Sequence, residues 1–253
     1  MDRRTFLKKL PLVLLPFLHD DTLLSSPQFL VQGVGYNYQM LGRAGLLDLG
    51  TAHFQVLPSG SYYDLLFDVS FNTPWSKAVC KTIHYETRAF FERPFFLPLS
   101  SHVQFLQPGR LLRKEESARI IEFHYLEKEI VYTVQHQQDL TRSCLPFREG
   151  TLDPLTLFAS LLCSSYEELS RHPFLFVYYK NHGTVELSFG THSAQLVLPE
   201  DLLFSPQASF SLSYSTDEKT LRPTCSSFRV DVLHPAFTAL LGDLEFRLQQ
   251  RFT

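Results

Sequence analysis

The chain has 253 residues and a formal net charge of −3; 44% of its residues are hydrophobic and 14% are aromatic, including 23 Phe and 11 Tyr. This composition supplies enough apolar surface for a packed core and excludes an intrinsically disordered chain. The sequence has no basic stripe, which argues against a nucleic-acid-binding surface.

The first eighteen residues combine a basic stretch with a short apolar run. The apolar run, residues 10–18, is much shorter than the ~20 residues that a membrane-spanning helix needs. We therefore predict that residues 1–26 are a signal segment for the twin-arginine export machinery, and that residues 27–253 fold as one domain and work in the periplasm. The residues that carry the signal pattern are Arg3, Arg4, Phe6, Leu7 and Lys8.

The processing of this segment is left open by the sequence. No Ala-x-Ala cleavage site follows the apolar run, and the nearest small residues are Ser25 and Ser26. An uncleaved signal would tether the protein to the membrane. The alternative interpretation is a cytoplasmic protein that begins with a basic, apolar helix.

Alternation of apolar and polar residues dominates the sequence from Val34 onward and predicts antiparallel strands with one face on a core. In residues 62–71 the apolar face is predicted to hold Tyr63, Leu65, Phe67, Val69 and Phe71. In residues 79–91 it is predicted to hold Val79, Ile83, Tyr85, Ala89 and Phe91. Further strands are predicted at 51–57, 102–106, 119–125, 130–135, 174–179, 184–189, 192–198, 209–215 and 226–233, with a turn at 181–183.

Two amphipathic helices are predicted to interrupt this pattern. Asp153 and Pro154 supply a capping residue and a proline at the first helical position, and an apolar stripe at helical spacing follows as far as Leu169. A second stripe follows Pro235 and ends at Leu248, with positive charge in its last turns. Many strands with two helices predict an α+β, β-rich fold.

No motif for catalysis or cofactor binding is present. The sequence lacks a nucleophile elbow, a P-loop, a dinucleotide-binding glycine pattern and the H-E-x-x-H zinc motif. The ten His residues are dispersed along the chain, so no metal site and no catalytic residue are predicted. The four Cys residues are interpreted either as buried apolar side chains or as forming up to two disulfides; they are Cys80, Cys144, Cys163 and Cys225.

Aromatic runs are the feature with the clearest bearing on function. Residues 90–91, 95–97 and 174–179 are apolar on both strand faces, which indicates either burial on both sides or a concave apolar surface. In the second case the surface would hold an acyl chain or a similar ligand. The predicted lining residues are Phe67, Phe91, Phe95, Phe105, Phe158, Phe176 and Tyr178.

The order of several short motifs resembles the bacterial envelope family called domain of unknown function 3108. They are residues 33–38 (GVGYNY), 46–52 (LLDLGTA), 93–98 (RPFFLP), 109–115 (GRLLRKE), 153–161 (DPLTLFASL) and 215–223 (STDEKTLRP). The resemblance implies an exported protein with a curved antiparallel sheet wrapped on helices, a half-barrel similar to lipoprotein carriers. It implies no catalytic residue.

These observations lead to three hypotheses. The first is a periplasmic, non-enzymatic protein that binds a lipid or acyl group. The second is an interaction or assembly module of the cell envelope that uses an exposed edge strand and has no ligand cavity. The third is an envelope hydrolase, which requires a His within hydrogen-bond reach of a Ser or Asp in a cleft.

Overall fold

The computed structural model describes residues 33–42, 45–74, 80–108, 116–136, 139–163, 169, 175–178, 181–184, 186–190, 193–197, 209–217, 222–231 and 244–252. These residues form one large antiparallel sheet, one small sheet and one helix. The first eight strands are β1 (Val34–Gly42), β2 (Leu47–Ser59), β3 (Tyr62–Phe71), β4 (Cys80–Glu92), β5 (Phe95–Pro108), β6 (Glu116–His124), β7 (Glu129–His136) and β8 (Asp139–Pro146). The next elements are β9 (Thr151–Leu152), α1 (Pro154–Cys163), β10 (Leu175–Tyr178) and β11 (Asn181–Thr184). The last strands are β12 (Glu186–Gly190), β13 (Ser193–Val197), β14 (Ser209–Asp217), β15 (Arg222–Asp231) and β16 (Leu244–Phe252).

The large sheet has thirteen strands in the order β12-β13-β14-β15-β16-β1-β2-β3-β4-β5-β6-β7-β8. Strands β1 to β8 each pair with the next strand along the chain, and so do β12 to β16. The two series join where β16 pairs with β1, so the first and last described strands meet inside the sheet. Within the described residues β8 and β12 each have one neighbour, so the sheet is open.

The sheet is strongly curved. Phe67 on β3 and Phe228 on β15 are separated by three intervening strands, yet their ring centroids are 6.4 Å apart. In a flat sheet a strand spacing of about 4.8 Å would hold these two strands about 19 Å apart. The two rings therefore point toward each other from the concave face.

Period-two alternation explains which side chains lie on that face. Tyr63, Leu65, Phe67, Val69 and Phe71 all pack in the main core cluster, as predicted for β3. Pairing of β3 with β4 places Ile83, Tyr85 and Ala89 on the same face, and Phe91 packs in the cluster as well. The prediction for Val79 falls outside the described residues.

Helix α1 covers part of the concave face. It begins at Pro154, directly after Asp153, as predicted, and it lies against β3, β4, β5, β10 and β15. The small sheet, β11-β10-β9, covers a neighbouring part, because Val177 of β10 packs in a second core cluster with Ile130 and Tyr132 of β7. The sheet thus carries its main core on one side.

The predicted second helix is wrong over its last residues. Residues 244–252 form strand β16, which pairs with β1 on one side and β15 on the other. Leu244 and Leu248 are four residues apart, a spacing that fits one face of a helix and also one face of a strand. Phe246 lies between them and is only 5% exposed, so every second residue faces the core, as in a strand. The part of this prediction at 235–243 lies outside the described residues.

Two further predictions need correction. The predicted turn at 181–183 is wrong, because these residues lie in strand β11, where Asn181 pairs with Tyr178 of β10. Strand β8 was not predicted, because most of its residues are exposed and no alternation marks it.

Candidate functional site

Five phenylalanine rings converge on the concave face of the large sheet. Phe228 is the central ring, and Phe158 of α1 has centroid distances of 4.9 Å to Phe54 and 5.0 Å to Phe228. Phe228 and Phe246 are stacked at 4.3 Å, and Phe67 lies 6.1 Å from Phe246. Aromatic pairs in this range contribute about 0.5–1.5 kcal/mol each beyond their burial. The rings are in contact with one another, so they fill the space between α1 and these strands.

Four of the seven predicted lining residues have described side chains, and all four lie in or against this core. Phe67 and Phe158 belong to the ring cluster, Phe91 lies 4.9 Å from Phe96, and Phe95 is 8% exposed. The structure describes Phe105 in β5 and Phe176 and Tyr178 in β10 by their backbone, and their side chains lie outside the description. That any of the seven contacts a ligand stays a prediction.

The sequence did not single out three rings of the cluster, Phe54, Phe228 and Phe246. Phe54 alternates with Ala52 and Val56, which are also buried, so its inward position was accessible from periodicity. Phe228 and Phe246 lie on β15 and β16, which reach the centre of the cluster only because β16 pairs with β1. No local pattern in the sequence predicts the pairing of β16 with β1.

A buried polar network fixes the N-terminal end of α1. Asp153 is fully buried, and its Oδ1 accepts a hydrogen bond of 2.7 Å from the backbone N–H of Thr156, a helix cap. Its Oδ2 accepts hydrogen bonds from the hydroxyl of Thr87 at 2.7 Å and from the hydroxyl of Ser101. Because Thr87 is on β4 and Ser101 on β5, this single carboxyl group ties the helix to two strands.

Burial controls the ionisation of this carboxyl group. Burial raises the pKa of Asp153 above its usual value of 3.8, against the opposing effect of the hydrogen bonds from Ser101, Thr156 and Thr87. The pKa of Tyr125 is also raised, mainly by burial and further by the charge of Asp153; its hydroxyl donates to the carbonyl oxygen of Pro98 at 2.8 Å. A further hydrogen bond holds the middle of α1 to β5, since the backbone N–H of Phe96 donates to the hydroxyl of Ser160.

The convex face carries a polar groove of about 270 Å³, lined by Glu86, Arg88, Ser100, His102 and Ile120, and by Ser101, whose hydroxyl is directed away from it to Asp153. The guanidinium of Arg88 donates to Asp64 at 2.8 Å, and this hydrogen bond raises the pKa of Arg88. The main positive charge of the groove is therefore already paired.

A His–Asp pair lies near this groove on the same face. Nδ1 of His84 is 2.6 Å from Asp68, and Nε2 of His84 lies 3.9 Å from Glu86. Both ring nitrogens thus face carboxylates, and within the described residues no Ser, Thr or Cys is hydrogen-bonded to His84. The hydrolase hypothesis stays a prediction without an identified nucleophile.

Metal ligands and cysteines add little to the site. The described residues contain no group of three or more His, Cys, Asp or Glu that could hold a metal ion. Cys144 is a free, exposed thiol on β8, so its interpretation as a buried apolar side chain or a disulfide partner is wrong. The side chains of Cys80, Cys163 and Cys225 lie outside the description, as do the signal residues Arg3, Arg4, Phe6, Leu7 and Lys8.

In the part of the chain that is described, no helix has the length and apolarity that a membrane crossing requires.

Comparison with known proteins returned no match: no family model fits the chain, and no curated protein or solved structure matches it significantly. The resemblance to the family domain of unknown function 3108 stays a prediction.

Proposed function

We propose that this protein is an exported, periplasmic binding protein for a hydrophobic ligand, a lipid or an acyl chain, held on the concave face of a half-barrel sheet. The observation that carries the proposal is the convergence of Phe54, Phe67, Phe158, Phe228 and Phe246 on that face. The open edge of the sheet supports it further, since a half-barrel admits a ligand from the side.

The packing of the rings determines how such a ligand is accommodated. Phe158 contacts the rings of both Phe54 and Phe228. An acyl chain therefore binds in one of two ways: the Phe158 ring moves aside, or the acyl chain lies next to the ring. The ligand would replace contacts of α1 with contacts of its own, at little net change in buried apolar area. The helix and the acyl chain therefore compete for one surface.

The test uses the full chain and a fluorescent C16 fatty acid. We expect saturable uptake by the wild-type protein and co-purified lipid in its native mass spectrum. Phe67→Trp adds volume at the concave face, in the space that the ligand would occupy, and we expect it to lower the affinity roughly tenfold. Ile120→Trp is the matched control, because Ile120 is 39% exposed on the convex face and its variant keeps the wild-type affinity.

Two results would overturn the proposal. One is wild-type protein that neither takes up the fatty acid nor carries lipid in the native mass spectrum. The other is an equal loss of affinity in Phe67→Trp and Ile120→Trp, because that places the ligand away from the rings. Thermal melting of both variants shows that each is folded under the conditions of the binding assay.

The second candidate is an envelope interaction module, and the exposed edge of β8 favours it. Leu140 on this strand is 69% exposed, Cys144 is exposed, and the described structure places no strand beyond β8. An unpaired strand edge offers backbone donors and acceptors to an incoming strand. Absence of lipid uptake by the wild-type protein would favour this candidate over the first.

A further inference from the structure

Arg251 is the one charged residue in a row of inward-facing side chains on β16. The alternating residues Leu244, Phe246 and Leu248 pack in or against the main core cluster. Continued alternation would place Gln250 on the same face. The pairing of β1 with β16 instead shifts by one residue, so that Tyr38 faces Leu248 but Tyr36 faces Arg251. This bulge turns Arg251 toward the concave side, and bulges commonly redirect a side chain in this way.

The guanidinium of Arg251 contacts an aromatic ring, but one of its hydrogen-bond donors is unpaired among the described residues. Its central carbon lies 5.8 Å from the centroid of the Tyr36 ring, within the range of a cation–π contact. Its Nε is buried and has no hydrogen-bond partner among the described residues. A buried donor on a charged group is costly to leave unpaired. An arginine held in this state is suited to an oxyanion, because its planar fork matches carboxylate and phosphate oxygens.

Around Arg251, strand β16 has a paired neighbour on one side only among the described residues. Strand β15 pairs with β16 only over Ser227–Val230 and Leu244–Arg247. Beyond Arg247, β16 continues to Phe252 paired with β1 alone among the described strands. Arg251 therefore lies beyond the last residue pair of β16 with β15, at the end of the apolar row.

We propose that Arg251 binds the oxyanion head group, a carboxylate or a phosphate, of a single-chain amphiphile whose tail contacts the concave face. This inference rests on the proposed function and adds the chemical class of the ligand. Two charged residues of the same strand lie on the opposite face, since Arg247 is paired with Glu245 at 2.7 Å and faces Gln39 of β1. They serve as the control for charge alone.

The experiment measures the affinity of the full chain for three ligands with the same C16 tail: a fatty acid, the corresponding alcohol and a lysophosphatidic acid. We expect the wild-type protein to bind at least one of the two anionic ligands about tenfold or more tightly than the alcohol. The ligand that gains more identifies the head group as a carboxylate or a phosphate. Arg251→Gln removes the charged hydrogen bonds and lowers the affinity for the anionic ligand about 10- to 100-fold, with the affinity for the alcohol unchanged.

Two further variants keep the test decisive. Arg251→Lys keeps the charge but not the planar fork, and we expect it to recover part of the lost affinity. Arg247→Gln changes the net charge of β16 by the same amount and leaves all three affinities as in the wild type. Should Arg251→Gln fail to fold, Arg251→Lys measures the contribution of the fork by its own loss of anion affinity.

The failure of this inference is distinguishable from the failure of the proposed function. If no ligand binds the wild-type protein, the proposed function is wrong. If the alcohol binds as tightly as both anions, or if Arg247→Gln lowers anion affinity as much as Arg251→Gln does, the hydrophobic site stands and the head-group assignment to Arg251 is overturned.

Discussion

At the residue scale, two glycines with positive φ angles differ in what surrounds them. Gly50 on β2 has φ +147°, and a Cβ added there would lie 2.0 Å from the backbone oxygen of Ser70. Gly60, in the turn between β2 and β3, has φ +67°, and a Cβ there would meet nothing within 4 Å. The first position excludes a side chain by contact with backbone, whereas the second carries only a conformational cost.

We predict that Gly50→Ala destabilises the protein by roughly 3 kcal/mol or more, because both the strained φ and the backbone contact must be relieved. Gly60→Ala is the matched control, with an expected cost of about 1–2 kcal/mol from its left-handed conformation alone. Urea denaturation of both variants measures the difference. Equal costs for the two variants would contradict the described contact between β2 and β3 at Gly50.

At the scale of elements, the network around Asp153 predicts how the attachment of α1 depends on pH. Burial raises the pKa of Asp153 in the folded protein, so folding favours the protonated carboxyl group. The stability that this group contributes is fully present below its unfolded pKa of about 3.9, and it is lost as the pH rises through the folded pKa. We therefore expect wild-type protein to lose stability relative to Asp153→Asn as the pH rises above 4.

The measurement is the difference in unfolding free energy between the wild-type protein and Asp153→Asn at several pH values from 4 to 8. Taking the difference removes the titration of groups that both proteins share. Asp139→Asn is the control, because Asp139 is an exposed residue of β8 and its variant is expected to follow the wild-type pH dependence. A difference that is constant with pH would show that Asp153 has the same pKa in the folded and unfolded states.

The elements that the sequence predicted correctly are those with a local signal. Strand β3 alternates with period two, and α1 has a capping residue, a proline and an apolar stripe, so each is determined by its own residues. Strand β16 gave the wrong prediction because Leu244 and Leu248 fit both periods, and pairing with β1 and β15 decides between them. Strand β8 has exposed residues on both faces and therefore no period.

The candidate site was partly accessible from the sequence for the same reason. Alternation and helical spacing identified Phe67 and Phe158 as inward-facing residues. The meeting of Phe67 with Phe228 and Phe246 depends on the order of strands, which joins residues about 160–180 positions apart in the chain. The direction of the Arg251 side chain depends on a single-residue bulge, and no residue type near Arg251 predicts that bulge.

At the scale of the whole molecule, β16 joins the two halves of the large sheet. Within the described residues it is the strand that connects β12–β15 with β1–β8, because it pairs with β15 on one side and β1 on the other. It also carries Phe246, which stacks on Phe228 at the centre of the ring cluster. Loss of this strand would expose two strand edges and the rings between them.

We predict that a chain ending at residue 243 loses cooperative unfolding, because neither half of the sheet retains the shared ring cluster. A chain ending at residue 251 is the matched control: it lacks Phe252, which lies over Gly35 and 5.2 Å from the His53 ring, but retains the rest of β16. Urea denaturation followed by near-ultraviolet circular dichroism reports the packing of the aromatic rings in both truncated proteins. We expect one cooperative transition for the longer chain, and for the shorter chain no native near-ultraviolet signal together with binding of a hydrophobic dye. A shorter chain that keeps the wild-type transition midpoint and near-ultraviolet signal would show that β1–β8 and β12–β15 are stable without the strand between them.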